Sequence, residues 1–162
     1  MTLDVPDKDN AGYKITHISP ISDGRVMEPR HYKESTGGRE RNTAQLLSVQ
    51  GWDVYLRNKD ELPSVTSFDS YVDRGDGRED WQFKRITSSA NFTLEKIRRT
   101  IREGKRQAER VALFIDSTNV SWDIIEDGVR NAYRRDKNGF IKTIIVYAGN
   151  GDYKEYDHDR FA

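Results

Sequence analysis

The chain has no cysteine, which excludes a disulfide scaffold, thiolate zinc ligation and a cysteine nucleophile together. Apolar residues make up only 35% of it and the mean hydropathy is −0.89, enough for one core and little more. No run approaches the roughly 18 apolar residues needed to cross a bilayer, and the N-terminus lacks the signal-peptide pattern. No membrane span is expected. There is no Gly-rich phosphate loop, no G-x-S-x-G elbow and no dinucleotide fingerprint. The three histidines, His17, His31 and His158, are too far apart for metal-ligand spacing.

What the chain does have is charge. Its 162 residues include 27 basic and 27 acidic side chains, 33% of the total, for a net charge of zero. The balance is uneven along the chain. Arg85 to Arg110 holds eight basic residues against three acids, whereas Asp53 to Asp80 holds four against eight. That asymmetry gives the molecule a basic surface suited to a polyanionic partner, and it equally describes an ordinary solvated helix face.

Residues 1–38 carry three of the four prolines, Pro6, Pro20 and Pro29, and the Gly37-Gly38 pair. They show no sustained helical period and read as an irregular arm, with one short strand at Tyr13 to Ile18. A single compact domain is expected over 39–162. Ala44 and Leu47 set a helix that starts at Glu40 and stops before Gly51. Strands are expected at Trp52 to Leu56, Val65 to Val72 and Asp80 to Ile86, the last two joined by the turn residues 73–77. Thr93 to Glu109 is a helix with Leu94, Ile97, Ile101 and Ala108 on one stripe. Val111 to Ile115 and Ile141 to Tyr147 are buried-strand runs flanking a helix capped by Ser121. Gly149 to Asp152 then turns the chain into Tyr153 to Tyr156. The expected fold class is α+β: a twisted, mostly antiparallel sheet packed by helices, a single domain behind an irregular arm.

The segment Asp80 to Ser89 carries the most chemistry. Alternation on a strand turns Trp81 and Phe83 toward a core and projects Asp80, Gln82 and Lys84 from the opposite face. Lys84 is followed by Thr87, Ser88 and Ser89, and a lysine with hydroxyls at a strand end can hold a phosphate and stabilise its charge. The same pattern also describes an exposed strand face with a serine-rich turn. Arg98, Arg102 and Arg106, with Lys105 beside them, lie largely off the apolar stripe and can track a nucleic-acid backbone. Glu40, Asp69 and Asp80 offer carboxylates that would bind a divalent cation only if the fold gathered them.

In order and spacing these segments resemble the C-terminal nuclease domain of contact-dependent growth inhibition (CdiA-type) toxins. The resemblance rests on Glu40-x3-Ala44-x2-Leu47-x3-Gly51, then Phe68 to Val72, Gln82-Phe83-Lys84, the hydroxyl cluster, Gly104 to Arg110 and Val111 to Asp116. It implies a small ribonuclease of the barnase, EndoU, colicin and RelE kind, aimed at tRNA, needing no metal and paired with a cognate immunity protein. In such an enzyme the 2′-hydroxyl attacks the adjacent phosphate, leaving a cyclic phosphate. Lys84 would stabilise the phosphate charge, Thr87 or Ser88 would donate a hydrogen bond, and Tyr147, Asp152 or Tyr153 would serve proton transfer. A delivered toxin of this kind acts in the cytoplasm of a target cell.

The same order, a helix with Glu40, a strand with Asp69 and a strand with Gln82-x-Lys84, also resembles the PD-(D/E)xK nucleases. That resemblance implies magnesium held by Glu40, Asp69 and Gln82, with cleavage of DNA or tRNA. The sequence departs from it at Phe68, where proline is usual, and at Gln82, where a neutral amide replaces an acid. A third reading, from another class, is a non-catalytic nucleic-acid-binding module that uses only the basic helix.

Overall fold

The runs Val111 to Ile115 and Ile144 to Val146 have no polar interruption, the pattern of strands covered on both faces. In the computed structural model, which describes residues 12–34, 39–58, 68–87, 93–117 and 120–161, both are central strands. Eight strands and four helices are found among the described residues, and the α+β class expected from the sequence is observed. The chain divides into two compact units, residues 1–80 and 81–162.

In the first unit β1 (Lys14–Ile18) pairs antiparallel with β2 (Arg25–Glu28), and β2 pairs parallel with β3 (Asp53–Leu56). The crossover that a parallel pair requires is α1 (Glu40–Ser48), which buries Ala44 and Leu47 against β2 and β3. β4 (Ser70–Asp73) returns antiparallel beside β3. Part of the expected irregular arm is therefore sheet. Strand β2 has only four residues, but its Val26 and Met27 are fully buried. An apolar pair that short has no readable period.

In the second unit β5 (Arg78–Thr87, residues 81–87 in this unit), β6 (Arg110–Asp116) and β7 (Thr143–Ala148) run parallel, and β8 (Tyr153–Asp157) pairs antiparallel with β7. α2 (Leu94–Lys105) and α3 (Trp122–Arg135) cover one face, and α4 (His158–Phe161) is a last short turn. Thr93 and Ser121 cap α2 and α3, their hydroxyls accepting from the amides of Lys96 and Ile124. Ile97 and Ile101 of α2 and Ile125 and Val129 of α3 pack with Ile86, Leu113, Ile115, Ile144 and Val146 of the sheet. Gly128 makes the helix contact possible. A Cβ there would stand 2.7 Å from Ile97 Cγ2, so only glycine lets α3 approach α2 this closely.

Candidate functional site

Strand β5 does not have one buried and one free face. Trp81 and Phe83 are buried as expected, but so is Gln82, and Ile86 belongs to the helix-covered core. Asp80 alone of the expected projecting trio is exposed. The correction has a simple cause: α2 lies over that side, and a parallel strand is covered on both faces. Lys84 is partly buried there, its Cγ 3.5 Å from where a Cβ on Gly104 would stand. A larger residue at 104 would crowd Val111 and the Lys84 stem together.

Gln82 and Lys84 are two residues apart on one face of the strand, about 7 Å along it. Gln82 is 5% exposed, and its Oε1 accepts no hydrogen bond among the described residues. Lys84 has no carboxylate partner among them either. A buried amide oxygen left unsatisfied costs on the order of 1–3 kcal/mol, and a half-buried ammonium without an acid is also unfavourable. Such a pair is suited to a ligand that donates to one group and carries negative charge to the other.

The other candidates of the metal-free constellation stand elsewhere. Register pairs Lys84 with Leu113 and Val146, whereas Arg85 pairs with Phe114 and Tyr147. Tyr147 therefore shares the opposite face with Arg85, whose guanidinium lies 4.2 Å from the Phe114 ring, and with Tyr153, its ring 5.3 Å away. Thr87 lies on that face too, beside Asp116. Asp152 is exposed in the β7–β8 turn, its backbone amide and one carboxylate oxygen bonded to the Asn150 side chain. Ser88 lies outside the described residues. Lys84 thus does not share a face with Thr87 or Tyr147.

Glu40 and Asp69, both in the first unit, are 6% and 3% exposed, not surface solubilisers. Both bear on the Tyr32 phenol, which is held protonated well above its ordinary range by burial first, then by Glu40, Glu34 and Asp69. Magnesium, which the second resemblance implies, meets a poor donor set. No group of three or more His, Asp or Glu side chains among the described residues can hold a metal ion, and Gln82 is neutral.

The basic helix also departs from expectation. Arg102 and Arg106 are exposed, Arg106 just beyond the end of α2, but Arg98 is only 9% exposed and faces α3. Arg98, Arg102 and Lys105 line a pocket of about 170 Å³ with Ala132, Arg135 and Ile141. Arg135 was not among the residues picked out by sequence. It stands in the last turn of α3, where a cation is ordinarily read as a partner of the helix dipole. No spacing connects it with α2.

Comparison with known proteins gives two findings. Residues 76–151 match the family described as the contact-dependent growth inhibition CdiA C-terminal domain. A solved structure, a CdiA-CT/CdiI toxin and immunity complex from Burkholderia pseudomallei, is similar at 17% identity and a TM-score of 0.46, over 80% of this chain and 92% of that one. No curated protein matches the chain. The family match spans β5, α2, β6, α3 and β7, the segments that carry Gln82, Lys84 and the basic helix. Over residues 76–151 the chain is therefore similar to the contact-dependent growth inhibition CdiA C-terminal domain.

Proposed function

We propose that this chain is a toxin-type endoribonuclease that cleaves tRNA in the cytoplasm of a target cell, with its chemistry centred on Lys84. The observation that supports it most is the Gln82–Lys84 pair: an amide oxygen and an ammonium, adjacent on β5, without partners among the described residues.

Cleavage of a phosphodiester by its own 2′-hydroxyl needs an acceptor to orient that hydroxyl and a cation beside the phosphorane as charge accumulates. Gln82 Oε1 supplies the first and Lys84 Nζ the second. The 2′-oxygen forms a bond to phosphorus as its proton passes to solvent water, the P–O5′ bond breaks as the leaving oxygen takes a proton from water, and the products are a 2′,3′-cyclic phosphate and a free 5′-hydroxyl. Tyr147 has no part in this route, because it does not share the face of β5 that carries Lys84, and Asp152 is held by Asn150 in the β7–β8 turn. A cognate immunity protein with an acidic surface complements the basic segment 85–110.

The test incubates the purified chain with total tRNA and with duplex DNA, each with magnesium or with excess EDTA, and scores the cut ends. Cleavage of tRNA that survives EDTA and leaves cyclic phosphate is the expected result. Cleavage that disappears with EDTA would overturn the metal-free route and bring the buried carboxylates Glu40 and Asp69 into the chemistry. Cleavage of neither substrate would leave the basic helix as a binding surface alone.

A further inference from the structure

The pocket between α2 and α3 is lined by four cations, one of which pairs with an acid, Asp136. Lys105 Nζ lies 3.2 Å from Asp136 Oδ1, so those two charges cancel. Among the described residues, the guanidinium groups of Arg98, Arg102 and Arg135 take part in no hydrogen bond or ion pair. Three guanidinium groups without a counter-charge among the described residues therefore line one cavity.

Ordinary helix-end electrostatics accounts for part of this arrangement. Arg102 and Lys105 stand in the last turn of α2 and Arg135 in the last turn of α3, where the C-terminal dipole favours cations. It does not account for Arg98. That residue sits on the second turn of a twelve-residue helix and is nine-tenths buried, a position where an unpaired guanidinium is unfavourable unless something supplies the counter-charge. The floor is apolar, from Ala132 and Ile141, and offers Arg98 no counter-charge.

We propose that this pocket binds a single phosphate group, held by Arg98, Arg102 and Arg135. Guanidinium forks match phosphate oxygens in pairs, and three of them converging is more than one carboxylate can engage. The volume, about 170 Å³, is small beside the 300 Å³ or more of a typical small-molecule pocket and suits one tetrahedral group with its ester substituents. Lys105 is a positioning residue. Its ion pair with Asp136, whose second oxygen accepts from the Ile141 amide at 2.6 Å, ties the end of α2 to the segment that forms the floor. The phosphate can be a backbone diester of a bound RNA or a free phosphate. The site contains neither Gln82 nor Lys84 and does not depend on the cleavage reading.

The experiment measures binding of two probes to the full chain in EDTA. One is inorganic phosphate, by calorimetry; the other is a labelled 2′-O-methyl RNA with a 5′-hydroxyl, by anisotropy. Each is repeated with the double variant Arg102→Gln/Arg135→Gln, whose positions are exposed, and with Arg98→Lys. Binding of either probe that weakens about tenfold or more in the double variant, with an unchanged melting temperature, is the expected result. Whichever probe responds identifies the source of the phosphate. Binding of neither probe, or binding that ignores both variants, would overturn the proposal. So would citrate or polyglutamate competing as well as phosphate, which would mark the pocket as a seat for an acidic protein surface. The inorganic-phosphate arm and the Arg102→Gln/Arg135→Gln comparison read this pocket without any cleavage, so a failed cleavage assay and a failed phosphate site give different records.

Discussion

Lys84 and Tyr147 stand on opposite faces of the same parallel sheet. Lys84 aligns with Leu113 and Val146, which the helices cover, while Tyr147 aligns with Phe114 and Arg85 on the far side. A phosphate held by one is out of reach of the other. Lys84→Ala is therefore expected to lower the rate of tRNA cleavage by about 100-fold or more, as removal of a charge-stabilising donor does. Tyr147→Phe keeps the ring that packs on Tyr153 and is expected to change the rate less than about threefold. Single-turnover cleavage by the two variants checks this, and a large loss in Tyr147→Phe would contradict the facial assignment.

Much of the second unit was legible in the sequence. The apolar runs of β6 and β7 and the Leu94, Ile97, Ile101 stripe announce themselves, because burial on a sheet or helix imposes a period. Alternation also told correctly which residues of β5 share a face. It could not tell which face is covered, since that depends on where α2 packs, and so Gln82 and Arg98 were read as solvated when both are buried. The pocket was illegible for a related reason. Arg98 and Arg135 are 37 residues apart in sequence, and only the close approach at Gly128 brings α3 against α2.

That approach makes Gly128 a stability determinant. A Cβ would meet Ile97 Cγ2 at 2.7 Å, Ile97 Cβ at 2.8 Å and the Leu94 carbonyl oxygen at 3.2 Å. Neither a branched carbon nor a helix backbone can swing aside, so the helices must separate. Gly128→Ala is expected to destabilise the fold by about 1–3 kcal/mol despite alanine's better helix propensity. Urea denaturation gives the comparison, and a variant as stable as the parent would show that the helices separate at little cost.

Asp136 gives the fold a pH dependence of known sign. Burial opposes its charge, but the Ile141 amide and the Lys105 ammonium outweigh burial and hold the carboxyl below its ordinary range. A carboxyl depressed in the folded state adds stability that is full above its unfolded pKa, near 3.9, and is lost as pH falls through the folded value. Asp136→Asn removes that contribution, so the variant is less stable near pH 7, while its stability falls less than the parent's as pH drops below about 4. Melting temperatures across that range test it; parallel curves for the two proteins would deny Asp136 this role.

Gln82 separates stability from function. Its Oε1 accepts no hydrogen bond among the described residues although the residue is 5% exposed, and unsatisfied buried polar atoms oppose folding. Gln82→Leu keeps a similar volume and removes the unsatisfied group, so the folded state is expected to be equally stable or more stable by up to about 1–2 kcal/mol. If Gln82 orients the attacking hydroxyl, the same change costs about tenfold or more in cleavage rate, because the variant offers no acceptor. The two readouts move in opposite directions only for a polar group retained for its chemistry. A variant that is both less stable and less active would make Gln82 a packing residue, with its amide satisfied in the folded chain, and would remove it from the proposed reaction.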